Sequence, residues 1–280
     1  MNFVRFTPNK FFNLNISNKK NCKNKNTSID NKISDFLEYI YNQEKEYNST
    51  FTNKKIPFII GINGSVSSGK SYFALTLKKL LTCKKKVFVL GTDNFIYPNK
   101  KLEKKGIFRE KGYPKSYNWK LLFNTLKAIK NNKPKIIPFY NQDKSDISGK
   151  IKIPKNIDIL ILEGINIFKP MCETPIEKQN LTYLLSDFLD YSIYINVNEG
   201  ILKNWFHKRL VRKKTIWKKK KIKKNLTKKN QKSFKQFSNS IWKKYNHKNL
   251  KRFIKPFRER ADMIITKNSK FEIKYIDIKI

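Results

Sequence analysis

The chain has 280 residues, with 62 lysines and arginines against 21 acidic residues, a formal charge of +41. At 39% hydrophobic and 14% aromatic it is too apolar for a disordered tail, and long enough to bury the core of one large α/β domain or two smaller ones. The excess charge is mostly lysine spread along the whole length, which fits compositional drift better than a nucleic-acid surface, where charge gathers on one face.

The first acid is Asp30, so residues 1–29 carry no negative charge; they are rich in Asn and Lys and are expected to be poorly ordered. "SIDNKISDFLEYIYNQEKEY" places Ile33, Phe36, Leu37 and Ile40 at helical spacing behind a Ser/Asp cap, predicting a helix near 30–46. "IPFIIGI" is a short apolar run, read as a buried strand, and "KSYFALTLKKLL" follows as a helix. "KVFVLGT" is a second strand and "YNWKLLFNTLKAIKN" an amphipathic helix. "IDILILEG" is the clearest strand, apolar on both faces. "DYSIYINV" is another strand, "EGILKNWFHKRLVRK" and "SFKQFSNSIWKKY" are helices, and "ADMIIT" and "FEIKYIDIKI" close the chain as strands. Strands alternating with helices predict an α/β fold, a doubly wound, mostly parallel sheet with flanking helices. Ligands of such a sheet lie beyond the carboxyl ends of its strands.

Cys22, Cys83 and Cys172 have no CxxC spacing. This argues against a disulfide framework or zinc site and fits a reducing, cytoplasmic setting. With two histidines, His207 and His247, a histidine triad or metal cage is not expected. No apolar run approaches the roughly 20 residues of a membrane helix, so no membrane partner is expected.

The chemistry is carried by Gly64-Ser65-Val66-Ser67-Ser68-Gly69-Lys70-Ser71, which fits G-x-x-x-x-G-K-[ST]. The glycines let the backbone curl until successive N–H groups face phosphate oxygens. The following helix adds its positive N-terminal end. Lys70 reaches the β- and γ-phosphates, and the Ser71 hydroxyl ligates Mg²⁺. The motif sits between a predicted strand and a predicted helix, the context it requires, so ATP and Mg²⁺ are the expected cofactors on a P-loop NTPase fold. Asp93 stands just past the strand "KVFVLGT" and faces the same crevice. There a carboxylate can touch Mg²⁺ or accept the proton of an attacking hydroxyl; equally, it can cap a following turn. Glu163 ends "IDILIL". An acid there is costly unless paired or near a metal, so contact with Mg²⁺, directly or through a water, competes with a surface carboxylate at a strand tip. Residues 1–50 are read as an N-terminal extension and 51–280 as a P-loop kinase domain.

"PFIIGINGSVSSGKSYFA", "TDNFIYPN", "GIFREKGYPKSYN", "DILILEGINIF", "SDFLDYSIYINV", "NHKNL" and "FRERADMIITK" resemble, in order and at similar spacing, the type I (prokaryotic) pantothenate kinase family. The resemblance covers about Ile56 to Lys267. It implies a kinase that moves the ATP γ-phosphate onto the 4′-hydroxyl of pantothenate, the first committed step of coenzyme A synthesis, and a homodimer. It aligns Asp93 with the catalytic aspartate, Lys70 and Ser71 with the ATP and Mg²⁺ residues, and Tyr140, Arg209 and Asn249 with residues that hold pantothenate. Arg209 also makes sense alone, because a planar guanidinium pairs with a carboxylate or a transferring phosphate in a fork that Lys cannot copy.

Several positions depart from the family pattern. Gln142 stands where the family has His, and Phe206 replaces a substrate-facing Tyr. Asn94 replaces a Gly after the catalytic Asp. Leu75 replaces an Arg that mediates feedback by coenzyme A, so coenzyme A is expected to inhibit weakly. The densest basic stretch, Arg212 to Ser233, reads as a solvated, mobile loop, and no specific nucleic-acid partner is expected. Three other functions stay open. They are a uridine kinase or phosphoribulokinase relative, a nucleic-acid-binding protein, and a decayed kinase that binds ATP without turnover.

Overall fold

The structure is a computed structural model of the chain. It describes residues 3–6, 40–50, 56–169, 184–221 and 228–279, without the side chains of Phe6 and of 213–232. The strands are β1 Phe3–Phe6, β2 Phe58–Gly64, β3 Val87–Gly91, β4 Lys135–Asn141, β5 Asp146–Ile153, β6 Ile159–Glu163, β7 Tyr191–Val197, β8 Met263–Lys267 and β9 Ile273–Lys279. The helices are α1 (40–49), α2 Lys70–Leu81, α3 Asn99–Lys104, α4 Trp119–Lys130, α5 Glu199–Lys221, α6 Lys228–Ile241 and α7 His247–Asn249.

Seven strands form one sheet in the order β1-β9-β8-β7-β2-β6-β3. From β8 to β3 every pairing is parallel; β9 and β1 add an antiparallel edge. Central β2 lies between β6 and β7, and all seven of its residues are buried. That is why it reads as a continuous apolar run. Its flanking helices follow the predicted spacing. In α2, Phe73, Ala74, Leu77 and Leu81 are buried. In α4, Asn118 caps the first turn by accepting a hydrogen bond from Leu121 N at 3.1 Å.

Several expectations need correction. Residues 3–6, expected in a poorly ordered N-terminus, pair with β9. The described part of the predicted 30–46 helix is the start of α1; 30–39 lie outside the described residues. α1 packs on the sheet domain, with Ile40 fully buried. The Arg212–Ser233 stretch is helical through Lys221 and again from Lys228; lysine is a good helix former, so charge density alone did not make a loop. Cys83 is disulfide-bonded, where no disulfide framework was expected. Missing CxxC spacing says nothing about a link between distant cysteines.

Candidate active site

The phosphate loop is built where β2 meets α2. Gly64, at φ +148°, passes so close to β7 that a Cβ would lie 2.8 Å from the Ile195 carbonyl oxygen. Gly69, at φ +85°, turns the chain into α2 from the left-handed region. Both positions need glycine, the second for its backbone and the first also for space. Lys70 is buried, and its Nζ donates to the Ser65 carbonyl at 2.8 Å. Burial pushes the Lys70 ammonium below its ordinary value, while Glu163 and Asp93 pull it back up. The hydroxyls of Ser65, Ser67 and Ser68 are buried without a hydrogen-bond partner among the described residues. Polar groups left so in a native fold call for an explanation; of the three, Ser67 lines the cleft described below.

Glu163 ends β6, in register with Ile62 of β2 and Gly91 of β3. Its Oε1 accepts the Ser71 hydroxyl at 2.9 Å. Burial raises its carboxyl above the usual range, against the opposing pull of Lys70. Asp93 lies in the 3-10 turn Thr92–Phe95, which is capped by Gly91 with no side-chain bond. Asp93 therefore does not act as the cap. Its Oδ2 accepts the Gln142 amide at 2.9 Å, and Gln142 Oε1 accepts Arg209 NH2 at 3.2 Å. Asn94 ties this turn to the β4–β5 hairpin. Its Nδ2 donates to Gly91 O at 3.0 Å, and its Oδ1 accepts Tyr140 N at 2.8 Å.

Tyr140 is half-buried, and its hydroxyl is pushed well above its ordinary value by burial first and by Asp93 next. Phe206 and Arg209 lie one turn apart on α5; Phe206 is buried and packs on Trp242 at 5.7 Å between ring centroids. Asn249 is buried on α7 and donates to the Gly112 carbonyl at 3.2 Å. Asp93, Tyr140, Gln142, Phe206, Arg209 and Asn249 line one open cleft of about 320 Å³ with Lys70, Ser71 and Glu163. The P-loop end offers N–H groups and a cation. The same cleft offers carboxylates, a guanidinium and amides, with Ile96, Ile165 and Leu210 among its apolar lining. Such an arrangement can hold a triphosphate and a small alcohol side by side. Leu75 is 56% exposed on α2 and does not line the cleft.

The sequence reading gave no role to Asn166 or Lys267, and named Gly112 only within a family-specific segment. Lys267 is 7% exposed at the end of β8, its Nζ 3.5 Å from the Ser68 carbonyl of the phosphate loop. Its place at a strand end opposite the motif was the available signal, lost among so many lysines.

Residues 59–274 match the phosphoribulokinase/uridine kinase family. The chain belongs to that family. Within it, the curated relatives it matches include the pantothenate kinases of Streptococcus pyogenes, 35% identical over 82% of this chain and 76% of the relative, and of Ligilactobacillus salivarius, 35% identical over 77% and 70%. The chain is a member of the pantothenate kinase family and an ATP-dependent kinase. Its fold is also that of D-glycerate 3-kinase from Cryptococcus neoformans, with a TM-score of 0.62 at 16% identity over 89% of this chain and 99% of the other.

Proposed function

We propose that this kinase transfers the γ-phosphate of ATP to the 4′-hydroxyl of pantothenate, giving 4′-phosphopantothenate for coenzyme A synthesis. The observation that carries it is the meeting of Asp93, Tyr140, Gln142, Phe206, Arg209 and Asn249 with the phosphate loop in one cleft, in a chain 35% identical to proteins named pantothenate kinase.

The phosphate-loop N–H groups and the Lys70 ammonium hold the nucleotide's phosphates. Ser71 and Glu163 are the residues that would hold Mg²⁺, which when bound neutralises charge on the phosphate oxygens. Mg²⁺ keeps several waters and needs few protein oxygens, so this sparse set suits it. Asp93 accepts the proton of the attacking hydroxyl. Arg209 pairs with charge on the moving phosphoryl group, and Tyr140, Gln142, Phe206 and Asn249 hold the acceptor. Catalysis of phosphoryl transfer is mostly such positioning and charge compensation.

We place the reaction in the cytoplasm, with the protein as a homodimer and coenzyme A as a weak feedback inhibitor. Among the described residues no helix is long and apolar enough to cross a membrane. A coupled assay with ATP, Mg²⁺ and a panel of pantothenate, uridine and ribulose 5-phosphate tests the function. Turnover of pantothenate alone is expected; preference for either other acceptor overturns it.

A further inference from the structure

A carboxylate and a guanidinium that share a cleft are drawn into a paired fork. Asp93 and Arg209 both line the cleft, yet no salt bridge joins them among the described residues. Gln142 stands between them. Its Nε2 donates to Asp93 Oδ2 at 2.9 Å, and its Oε1 accepts from Arg209 NH2 at 3.2 Å. The direction of this amide is forced. An ionised carboxylate only accepts and a guanidinium only donates, so nitrogen faces Asp93 and oxygen faces Arg209. A glutamate at this position would repel Asp93, and a lysine would repel Arg209. The amide serves both and adds no charge.

The backbone that carries Gln142 is fixed. Asn141 Oδ1 accepts the N–H of Asp143 at 2.9 Å and that of Lys144 at 3.0 Å, closing the turn between β4 and β5. Just before it, Tyr140 N donates to Asn94 Oδ1 at 2.8 Å, tying the turn to the residue beside Asp93. The Gln142 side chain is exposed and lines the cleft. It takes up Oδ2 of Asp93, while Oδ1 has no hydrogen bond among the described residues.

We infer, on the roles proposed above for Asp93 and Arg209, that Gln142 is a positioning residue that keeps these two side chains apart. With Oδ2 held, Oδ1 is the oxygen that takes the proton as the acceptor hydroxyl attacks the γ-phosphorus. With the guanidinium bound to an amide and not to the carboxylate, its charge stays available to the moving phosphoryl group. Without the spacer Arg209 pairs with Asp93, and the proton acceptor and the phosphoryl partner neutralise each other.

Gln142→Met keeps the length of the side chain and removes the bridge. It is expected to lower kcat about 10- to 100-fold, the worth of a hydrogen bond to a charged group, with a smaller rise in the KM for the acceptor. A residue that only held the acceptor would raise that KM and leave kcat alone. In an Asp93→Asn background the same change is expected to cost no more than about threefold, because the base it serves is gone.

Gln142→His supplies a spacer that titrates. Neutral imidazole can donate to Asp93 and accept from Arg209; imidazolium has donors only and cannot accept from Arg209. The ratio of its kcat to that of the wild type is expected to fall about tenfold between pH 8 and pH 5.5, as an imidazole of ordinary pKa, about 6.5, takes up its proton. Lys70, Lys111, Tyr113, Tyr140, Glu163 and Tyr245 also line the cleft. They are common to both proteins and cancel in the ratio. A Gln142→Met protein with a raised KM and an unchanged kcat, full additivity with Asp93→Asn, or a kcat ratio flat with pH overturns the inference. A wild type that prefers another alcohol overturns the proposed function, and the same variants measured on that alcohol still decide the role of Gln142. A wild type that phosphorylates no acceptor overturns both.

Discussion

Ser71 Oγ donates a 2.9 Å hydrogen bond to Glu163 Oε1, joining the first turn of α2 to the end of β6. A hydroxyl and a carboxylate ninety-two residues apart thus form one oxygen pair beside the buried Lys70. Glu163→Gln keeps the shape and removes the charge. It is expected to lower kcat about 100-fold and to raise the Mg²⁺ concentration needed for half-maximal rate. Steady-state kinetics across a Mg²⁺ titration check this. An unchanged Mg²⁺ dependence would leave Glu163 a strand-tip carboxylate with no part in metal binding.

Asp93→Asn tests the proton acceptor. The amide keeps a partner for Gln142 but cannot take a proton from the hydroxyl. The expected loss in kcat is about 10²–10⁴-fold, with the KM for ATP little changed. Retained turnover would move the proton-accepting role elsewhere.

The phosphate loop and the sheet were legible because their signals are local. "GSVSSGKS" carries its chemistry in eight consecutive residues, and β2 and β6 are apolar on both faces because both are covered. The β4–β5 hairpin was not read, although it carries Tyr140 and leads into Gln142. Pro138 interrupts its first strand, and proline within an apolar run argues against a strand. The departures Gln142 and Asn94 could be named from the sequence, but not that Gln142 bridges Asp93 to Arg209 or that Asn94 stitches the Asp93 turn to β4. Asn249 and its anchor Gly112 are 137 residues apart, and no local pattern reports such a contact.

Lys130 and Asp190 test what anchors α4 and α1 to the sheet. Asp190 Oδ2 accepts Lys130 Nζ at 2.6 Å and the Ile59 N–H of β2 at 2.7 Å. Lys130 Nζ also reaches the Tyr47 hydroxyl of α1 at 2.7 Å. Both charged side chains are largely buried, at 19% and 11% exposure. Lys130→Met leaves a carboxylate without its counter-charge and is expected to cost about 3 kcal/mol in urea unfolding. Adding Asp190→Asn should recover part of that loss; a single variant as stable as wild type refutes the account.

Leu75 tests regulation. It is an exposed apolar side chain on α2, where the family pattern has an arginine. Weak inhibition of the wild type by coenzyme A is expected, and Leu75→Arg should strengthen it by adding a cation on the exposed face of α2. Inhibition assays at fixed ATP and rising coenzyme A compare the two. Strong inhibition of the wild type, competitive with ATP, refutes the expectation.

Lys267 gives the pH dependence. Its ammonium is pushed down to about 8, by burial first and by the Lys70 charge second. No salt bridge holds it among the described residues. The lowered value means that the folded protein sheds this proton before the unfolded chain does, whose lysine titrates near 10.5. Its contribution to stability is therefore unfavourable below about pH 8 and is relieved as pH rises toward 10.5. A triphosphate in the adjoining loop reverses the balance, because negative charge favours the ammonium and raises its pKa. ATP binding at pH 8.5 should then be accompanied by proton uptake, measured by calorimetry in buffers of different ionisation enthalpy. Lys267→Met should reduce the uptake, leaving the share that belongs to Lys70, and weaken ATP binding at pH 7. Proton uptake undiminished in the variant would assign the effect to another group.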